Sequence, residues 1–257
     1  MAKGGTSRNS LPKAIFPYTP EADMKTIQAD TERAISLAAD RICALCEEKP
    51  ALRIALGAND DCLALYRELS RRASAGEADL SKAAFFALDE FEGLPADDPR
   101  SCRMRLSEAL LSAADPLLER SHFLGPEEID DYDRLLSEDG GLDLVVLGIG
   151  ERGRIGFNEP GTLFSSAAHR QKLTKATVRE LAPLFGGEEQ VPAFGFTMGV
   201  RSILGAREIL VIALGEQRAD PVFRMMYART DGFVPAAFLQ LPLFAALYAD
   251  AAAAAKL

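Results

Sequence analysis

The apolar residues of this chain follow two alternating patterns. The short apolar runs lie at 53–58, 83–88, 142–150, 193–199 and 207–215. Such runs predict β-strands, and the spacing of three or four between apolar residues in the intervening segments predicts amphipathic helices. The longest helical pattern extends from Pro20 to Glu48 and is expected to end at Pro50.

This alternation predicts a parallel sheet with right-handed crossovers and helices on both faces. The run LDLVVLGIG at 142–150 has apolar residues at both odd and even positions, as expected for a central strand covered on both sides. His122 is expected to start a strand, AALYAD at 245–250 to form the last one, and the tail AAAAAKL to be a helix end. The predicted fold class is therefore α/β, a three-layer α/β/α sandwich with a mostly parallel, Rossmann-like sheet.

Composition sets the domain organisation and the class of partner. The 257 residues are 48% hydrophobic and 26% charged, which is typical of a globular protein with a sizeable core. The polar residues 1–12 predict a flexible N-terminus, and residues 13–257 a single domain. A formal charge of -9 disfavours nucleic acid and anionic membranes as partners of the whole chain, and leaves room for a local basic pocket.

The cysteines and the first residues of the chain indicate the cellular compartment and its redox state. The first 20 residues contain no apolar stretch typical of a signal peptide, so we expect a cytoplasmic, reduced protein. Cys43 and Cys46 form a C-x-x-C on a predicted helix, with no second Cys or His pair at ligand spacing. Core packing is the favoured interpretation over metal or redox chemistry, and no metal site is predicted.

Chemistry is expected where the parallel strands end, because ligands of such sheets bind beyond the carboxyl ends of the strands. Asp89 and Glu90 follow the run 83–88, and adjacent buried carboxylates can serve as a general acid or base. The structural alternative is that Asp89 caps a helix or turn.

A glycine-rich segment, GIGERGRIGFNEPGT, follows the central run. Its glycines, Gly148, Gly150, Gly153 and Gly156, predict a sharp turn or close approach to a ligand. The G-x-G-x-x-G within it follows a late strand and continues into an irregular segment with Pro160, unlike a dinucleotide fingerprint. No cofactor is therefore predicted.

Two segments, LDEFEGLPADDPRSCR and LGIGERGRIGFNEPG, resemble the signatures of the glucosamine-6-phosphate deaminase and isomerase family, LDEY.GL….SY and G.G.DGHIAFNEP. The resemblance extends to VPAFGFTMGVRSILGAREILVIALGEQRA and VPAAFLQLP. The family shares its fold with 6-phosphogluconolactonases. By this resemblance Asp89 shuttles a proton between C2 and C1 of the open-chain sugar, Glu90 lies beside it, and Glu159 supports the histidine that opens the ring. The resemblance also implies a homo-oligomer.

Departures from the family fall at the same motifs. Arg152 and Arg154 stand where the family has the aspartate and histidine of DGH, and arginine cannot act as the ring-opening base near neutral pH. Glu159 is therefore expected to face a cation, with Arg154 as its candidate partner.

The phosphate loop of the family, GSTP, also differs here. Following Gly57, it corresponds to Asn59, Asp60, Asp61 and Cys62, in which two carboxylates would repel a phosphate. Either these aspartates pair with Arg152 or Arg154, or charges are exchanged within one pocket that binds a differently substituted sugar.

Further basic residues are candidate anion contacts. Arg218 replaces the lysine of the family, and Arg170 and Lys172 lie in a segment that meets the substrate phosphate in the family. His169 is a weak candidate for the missing base. Alone, such a charge run is usually a solvated face.

The sequence thus predicts a sugar or sugar-phosphate aldose-ketose isomerase or deaminase-like enzyme. The substrate-binding candidates are Gly57, Asn59, Asp60, Asp61, Gly150, Arg152, Gly153, Arg170, Lys172 and Arg218, and the catalytic candidates are Asp89, Glu90, Arg154 and Glu159. A catalytically altered homologue that binds carbohydrate or regulates, and a 6-phosphogluconolactonase-like hydrolase, remain as alternatives.

Overall fold

The structure is a computed structural model that describes residues 24–110, 119–242 and 244–257. The predicted flexible N-terminus, residues 1–12, and the start of the predicted helix at Pro20 lie outside this part of the chain. The single-domain prediction for residues 13–257 stays a prediction.

Strands and helices alternate as the apolar pattern predicts. The strands are β1 (Lys25–Ala29), β2 (Arg53–Leu56), β3 (Ala84–Ala87), β4 (Asp89–Phe91), β5 (Ser121–His122), β6 (Leu144–Leu147), β7 (His169–Lys172), β8 (Phe194–Thr197), β9 (Glu208–Ala213) and β10 (Ala245–Asp250). The helices are α1 (Thr31–Glu48), α2 (Asp60–Ser74), α3 (Cys102–Ala109), α4 (Tyr132–Ser137), α5 (Lys175–Phe185), α6 (Val200–Leu204) and α7 (Ala219–Tyr227).

Seven strands of the described chain form one parallel sheet in the order β1-β10-β9-β6-β2-β3-β5. The central strand β6 is buried along its whole length. Its alternate residues enter different apolar clusters, Leu144 and Val146 on one face and Val145 and Leu147 on the other. A sheet with two buried faces confirms the α/β/α sandwich.

The prediction of one helix from Pro20 is wrong at its first turns. Residues Lys25–Ala29 form β1, which pairs in parallel with β10, and α1 begins only at Thr31. The side chain of Asp30 accepts a hydrogen bond from the Arg33 amide at 2.8 Å and caps this helix. Because β1 is a mostly exposed edge strand, it lacks the continuous apolar run that marks the inner strands.

A second sheet was not predicted. β8, expected in the parallel sheet from the run 193–199, pairs instead with β4 and β7 in an antiparallel sheet ordered β4-β8-β7. Asp89 therefore lies in a strand opposite Thr197, and the interpretation of Asp89 as a helix or turn cap is wrong. An apolar run predicts a buried strand but does not identify its partner.

The chain ends in turns, so the predicted helix end at AAAAAKL is wrong. Asp250 at the end of β10 accepts a hydrogen bond from the Ala253 amide at 2.8 Å and turns the chain back. Ala253 is fully buried as a result. His122, expected to start a strand, lies in β5.

Candidate active site

Three neighbouring strands, β6, β2 and β3, end beside a small cavity of about 30 Å³, called here the central cavity. Its lining residues are Gly57, Ala58, Asn59, Leu88, Asp89, Leu147, Gly148, Gly150, Arg154, Gly156 and Glu180. The volume has room for little more than a water molecule. Five of the substrate-binding and catalytic candidates from the sequence meet here: Gly57, Asn59, Asp89, Gly150 and Arg154.

Asp89 is the buried acid of this cavity. Its side chain belongs to a residue only 8% exposed, and Oδ1 has no hydrogen-bond partner in the described structure. Burial raises the pKa of Asp89, while the positive charge of Arg154 opposes that rise. The group can therefore exchange a proton closer to neutral pH than an exposed aspartate.

Arg154 lies across the same cavity and is 9% exposed. Its Nη1 donates to the carbonyl of Gly156 and its Nη2 to Glu180 Oε2 at 3.1 Å, while Nε has no partner among the described residues. A Cβ on Gly150 would lie 2.9 Å from that Nε. Glycine at 150 therefore makes room for the guanidinium, which explains one glycine of the segment.

A chain of ion pairs between buried and largely buried groups connects Arg154 to Asp61. Glu180 bridges two arginines, with Oε2 3.1 Å from Arg154 Nη2 and Oε1 3.2 Å from Arg218 Nη1. Arg218 Nε in turn lies 2.8 Å from Asp61 Oδ2. These four residues, Asp61, Arg218, Glu180 and Arg154, are called here the charge chain. Each arginine in it faces a carboxylate.

The electrostatics of the charge chain differ along its length. Burial opposes charge on Glu180, but Arg154, the Glu151 amide and Arg218 together lower its pKa. Burial raises the pKa of Asp61, which Arg218 counteracts. Asp61 and Glu180 raise the pKa of Arg218 against the effect of burial. Arg154 and Arg218 both stay positively charged, and each is paired with a carboxylate of the charge chain.

The two aspartates after β2 have separate roles. Asn59 caps α2 by accepting a hydrogen bond from the Cys62 amide at 3.1 Å. Asp61 points inward to Arg218, whereas the exposed Asp60 pairs with Arg105. The expected pairing of Asp60 and Asp61 with Arg152 or Arg154 is therefore wrong.

Glu90 has a structural role next to Asp89. Its carboxylate accepts hydrogen bonds from the backbone amides of Phe91 at 2.7 Å, Cys102 at 3.0 Å and Arg103 at 2.8 Å. Burial raises the pKa of Glu90, and these bonds counteract it. The acid thus joins β4 to the first turn of α3, which the Ser101 side chain caps by accepting a hydrogen bond from the Met104 amide.

Glu159 pairs with Thr174 and with no arginine of the described chain, so the expected ion pair with Arg154 is wrong. The residue is 3% exposed, and its carboxylate accepts hydrogen bonds from the Thr174 amide at 3.0 Å and the Thr174 hydroxyl at 3.2 Å. Thr174 is the N-cap of α5. Glu159 therefore ties the loop after β6 to the helix that carries Glu180.

The basic segment on β7 lies apart from the central cavity. Arg170 forms two hydrogen bonds with Glu92, at 2.7 and 2.8 Å, and stacks 3.5 Å above the Phe194 ring. Lys172 is exposed, and His169 approaches the Ala167 carbonyl at 2.8 Å. This geometry is typical of a solvated sheet face and leaves His169 outside the cavity.

Arg152 and Gly153 form the turn after β6. Gly153 has a φ of +76°, and a Cβ there would lie 2.4 Å from the Val234 side chain. Arg152 is exposed, and within the described chain its side chain has no ion pair. Arg152 thus remains available to solvent, unlike Arg154 and Arg218.

The cysteines pack as expected from the sequence. Cys46, Cys62 and Cys102 are buried in the apolar cluster and Cys43 is half-buried against it, all of them free thiols. Among the described residues no group of His, Cys, Asp and Glu side chains could hold a metal ion. No helix of the described chain combines the length and hydropathy needed to cross a bilayer.

Sequence reasoning missed Glu180. It lies on α5, where a glutamate is an ordinary surface residue, and no local pattern distinguishes it. Its importance comes from two arginines that are 26 and 38 positions away in the chain. The only signal in the sequence is that Arg154 and Arg218 both follow predicted strands, where two cations would need an acid between them.

Comparison with known proteins agrees with the resemblance of the motifs. A family model described as glucosamine-6-phosphate isomerases/6-phosphogluconolactonase matches residues 25–243. The glucosamine-6-phosphate deaminase of Hahella chejuensis is 34% identical, covering 91% of this chain and 92% of the relative. That of Mycolicibacterium smegmatis is 35% identical, covering 90% of this chain and 91% of the relative.

Solved structures give the same result at the level of the fold. A monomeric glucosamine-6-phosphate deaminase superposes with a TM-score of 0.87 at 28% identity, covering 91% of this chain and 100% of that chain. A 6-phosphogluconolactonase from Thermotoga maritima superposes with a TM-score of 0.68 at 18% identity, covering 88% and 99%. The second likeness shows the fold alone.

Proposed function

Because this chain belongs to the family of glucosamine-6-phosphate isomerases and 6-phosphogluconolactonases, we propose that it isomerises a sugar phosphate of the glucosamine-6-phosphate class. Asp89 transfers a proton between C2 and C1 of the substrate. This transfer is the first step for either product, a ketose phosphate alone or a ketose phosphate with release of ammonia from a 2-amino sugar.

The observation that carries the proposal is that Asp89 is a buried acid with an unpaired oxygen and a raised pKa. Its Oδ1 is buried and has no partner among the described residues, and Asp89 lines a cavity at the strand ends of the parallel sheet. Its pKa is raised by burial, so the carboxylate is a stronger base than an exposed one. The adjacent Glu90 is held by three backbone amides and does not line the central cavity.

Two arginines near the central cavity, Arg152 and Arg218, have donors that could bind a phosphate group. Arg152 is exposed, and Nη2 of Arg218 donates to none of the described residues, although Nε and Nη1 are occupied. These two arginines are the proposed phosphate contacts. Arg170 is less suited, because neither of its partners, Glu92 and Phe194, lines the central cavity, whereas Arg218 pairs with Glu180, which does.

The volume of the central cavity favours a second candidate function. About 30 Å³ cannot hold a sugar, so turnover requires the surrounding loops to move apart. A protein that binds a sugar outside the central cavity, and does not convert it, needs no such opening. Binding without turnover is therefore the alternative that the experiment must separate.

The test is hydrogen exchange in deuterated water. Wild-type protein is incubated with glucosamine-6-phosphate, glucose-6-phosphate or fructose-6-phosphate, and deuterium at C1 and C2 is followed by NMR, with ammonia measured in parallel. We expect exchange with wild type and its loss in Asp89→Asn. Asp220→Asn, which changes an exposed aspartate paired with Lys256, is the control and should exchange like wild type.

Two results would contradict the proposal. Exchange that persists in Asp89→Asn would remove the assigned role of Asp89. A ligand-induced rise in the melting temperature of the wild type, with no exchange and no ammonia, would favour binding without turnover.

A further inference from the structure

We propose that Nε of Arg154 holds the substrate oxygen on which negative charge develops, and that the substrate enters this site in its open-chain carbonyl form. The inference rests on the proposed proton transfer by Asp89. It adds a second catalytic residue and restricts the form of sugar that the site can use.

Two residues that line the same small cavity each have a buried polar atom without a partner. Asp89 Oδ1 and Arg154 Nε are both buried, and neither has a hydrogen-bond partner in the described structure. A buried donor or acceptor without a partner is costly, and such groups at a cavity indicate a ligand or water that would satisfy them. A carbonyl or hydroxyl oxygen can accept from Nε, and a hydroxyl can also donate to Oδ1.

The guanidinium is held before a ligand arrives. Nη1 donates to the Gly156 carbonyl and Nη2 to Glu180, and Gly150 allows the group to lie close to the backbone. These contacts fix the plane of the guanidinium and leave Nε as a buried donor without a partner among the described residues, on a residue that lines the cavity. A preorganised donor in a water-poor site is well suited to stabilise a developing oxyanion.

The chemistry balances with these two residues and the substrate alone. Asp89 takes the proton from C2 of an aldose, and the electrons of that bond form a C1–C2 double bond. Negative charge then develops on O1, which accepts a hydrogen bond from Arg154 Nε. Asp89 returns its proton to C1, the O2 proton passes to O1, and C2 becomes the carbonyl carbon.

Ring opening would need more than these groups provide. It removes a proton from the C1 hydroxyl and adds one to the ring oxygen, which requires an acid or base besides Asp89. The other carboxylate lining the cavity, Glu180, is paired with both arginines and its pKa is lowered. Neither Glu180 nor Arg154 is suited to move these protons, so the sugar must arrive open.

The first test uses the kinetics of Arg154 variants on the substrate found by deuterium exchange. Arg154→Gln should lower kcat by roughly 10²–10³-fold with a small change in KM, as for loss of one oxyanion donor. Arg154→Lys keeps a cation for Glu180 but lacks Nε, and should also lose kcat. Arg134→Gln, on the surface, is the control, and thermal unfolding confirms that each variant is folded.

The second test follows the ring. NMR exchange between the α and β anomers of the sugar phosphate is measured with and without enzyme. We expect the same anomer exchange rate in both samples. We also expect the turnover rate to reach a plateau, as enzyme concentration rises, at the spontaneous rate of ring opening.

The outcomes separate the two proposals. If wild type exchanges deuterium and Asp89→Asn does not, but Arg154→Gln or Arg154→Lys retains the wild-type kcat, the assignment of Nε is overturned alone. Accelerated anomer exchange by the enzyme overturns the open-chain requirement. If wild type shows no deuterium exchange with any substrate, the proposed function fails, and this inference fails with it.

Discussion

The guanidinium of Arg218 lies 2.8 Å from the carboxylate of Asp61, although 157 positions separate the two residues in the chain. Asp61 lies in the first turn of α2, and Arg218 precedes α7. Both residues follow strands of the parallel sheet, whose carboxyl ends meet at one edge. The acid that would repel a phosphate is therefore already neutralised by a cation of the same site.

Breaking this pair should destabilise the protein. Unlike Asp89, Asp61 is the direct ion-pair partner of an arginine, so Asp61→Asn leaves the largely buried guanidinium of Arg218 with Glu180 as its only carboxylate partner among the described residues. This loss on the side of the arginine outweighs the relief of burying the Asp61 charge, and removal of one member of a buried pair typically costs about 3 kcal/mol. Asp60→Asn, one position earlier and exposed, should cost no more than about 1 kcal/mol. Urea unfolding measures both. Equal losses in the two variants would contradict the assigned importance of the buried pair.

Asp89→Asn should stabilise the protein near neutral pH. Burial raises the folded pKa of Asp89 above the unfolded value of about 3.9, so the folded state binds the proton more tightly. Stability contributed by this group is then lost as pH rises from the unfolded pKa through the folded pKa. We expect a higher melting temperature for the variant at pH 7 and no difference below the unfolded pKa.

Asp98→Asn is a control for which we expect the opposite change in stability at pH 7. Hydrogen bonds from Arg100 lower the pKa of Asp98 to about 2, so its contribution to stability is present above the unfolded pKa and lost as pH falls through the folded one. Asp98→Asn should therefore lower the melting temperature at pH 7. A stability of Asp89→Asn below that of wild type at pH 7 would contradict the account of Asp89.

Glu159 should matter for stability more than for the chemical step. Its two hydrogen bonds to Thr174 support the start of α5, and loss of a helix cap costs about 1 kcal/mol. Glu159→Ala and Thr174→Ala should each destabilise, and the double variant should lose less than the sum, because the two residues interact directly. Thermal unfolding of the four proteins measures the coupling. Strict additivity would show that the bond contributes nothing.

The thiols should differ in reactivity by burial. Burial raises the pKa of Cys46 to about 12, whereas Cys43 is half-buried with a smaller rise. At pH 8 a thiol reagent should label Cys43 first in the folded protein and all four cysteines in denaturant. Mass spectrometry of the labelled peptides identifies the site. Rapid labelling of Cys46 in the folded protein would contradict its place in the core.

The sequence by itself determined the layers of the fold. Continuous apolar runs, β6 above all, are buried on both faces in a parallel sheet, and the helical spacing between the runs supplies the covering layers. The motifs also placed Asp89 and Arg154 after strands of the parallel sheet, whose carboxyl ends lie at one edge because of its topology.

Tertiary structure alone decided the partners. Hydrophobic pattern could not place β8 in the antiparallel sheet, since an apolar run is compatible with either neighbour. Nor could local sequence pair Asp61 with Arg218, or place Glu180 between two arginines. Burial, pairing and the free atoms of Asp89 and Arg154 depend on residues far apart in the chain, which only the folded molecule brings within hydrogen-bonding distance.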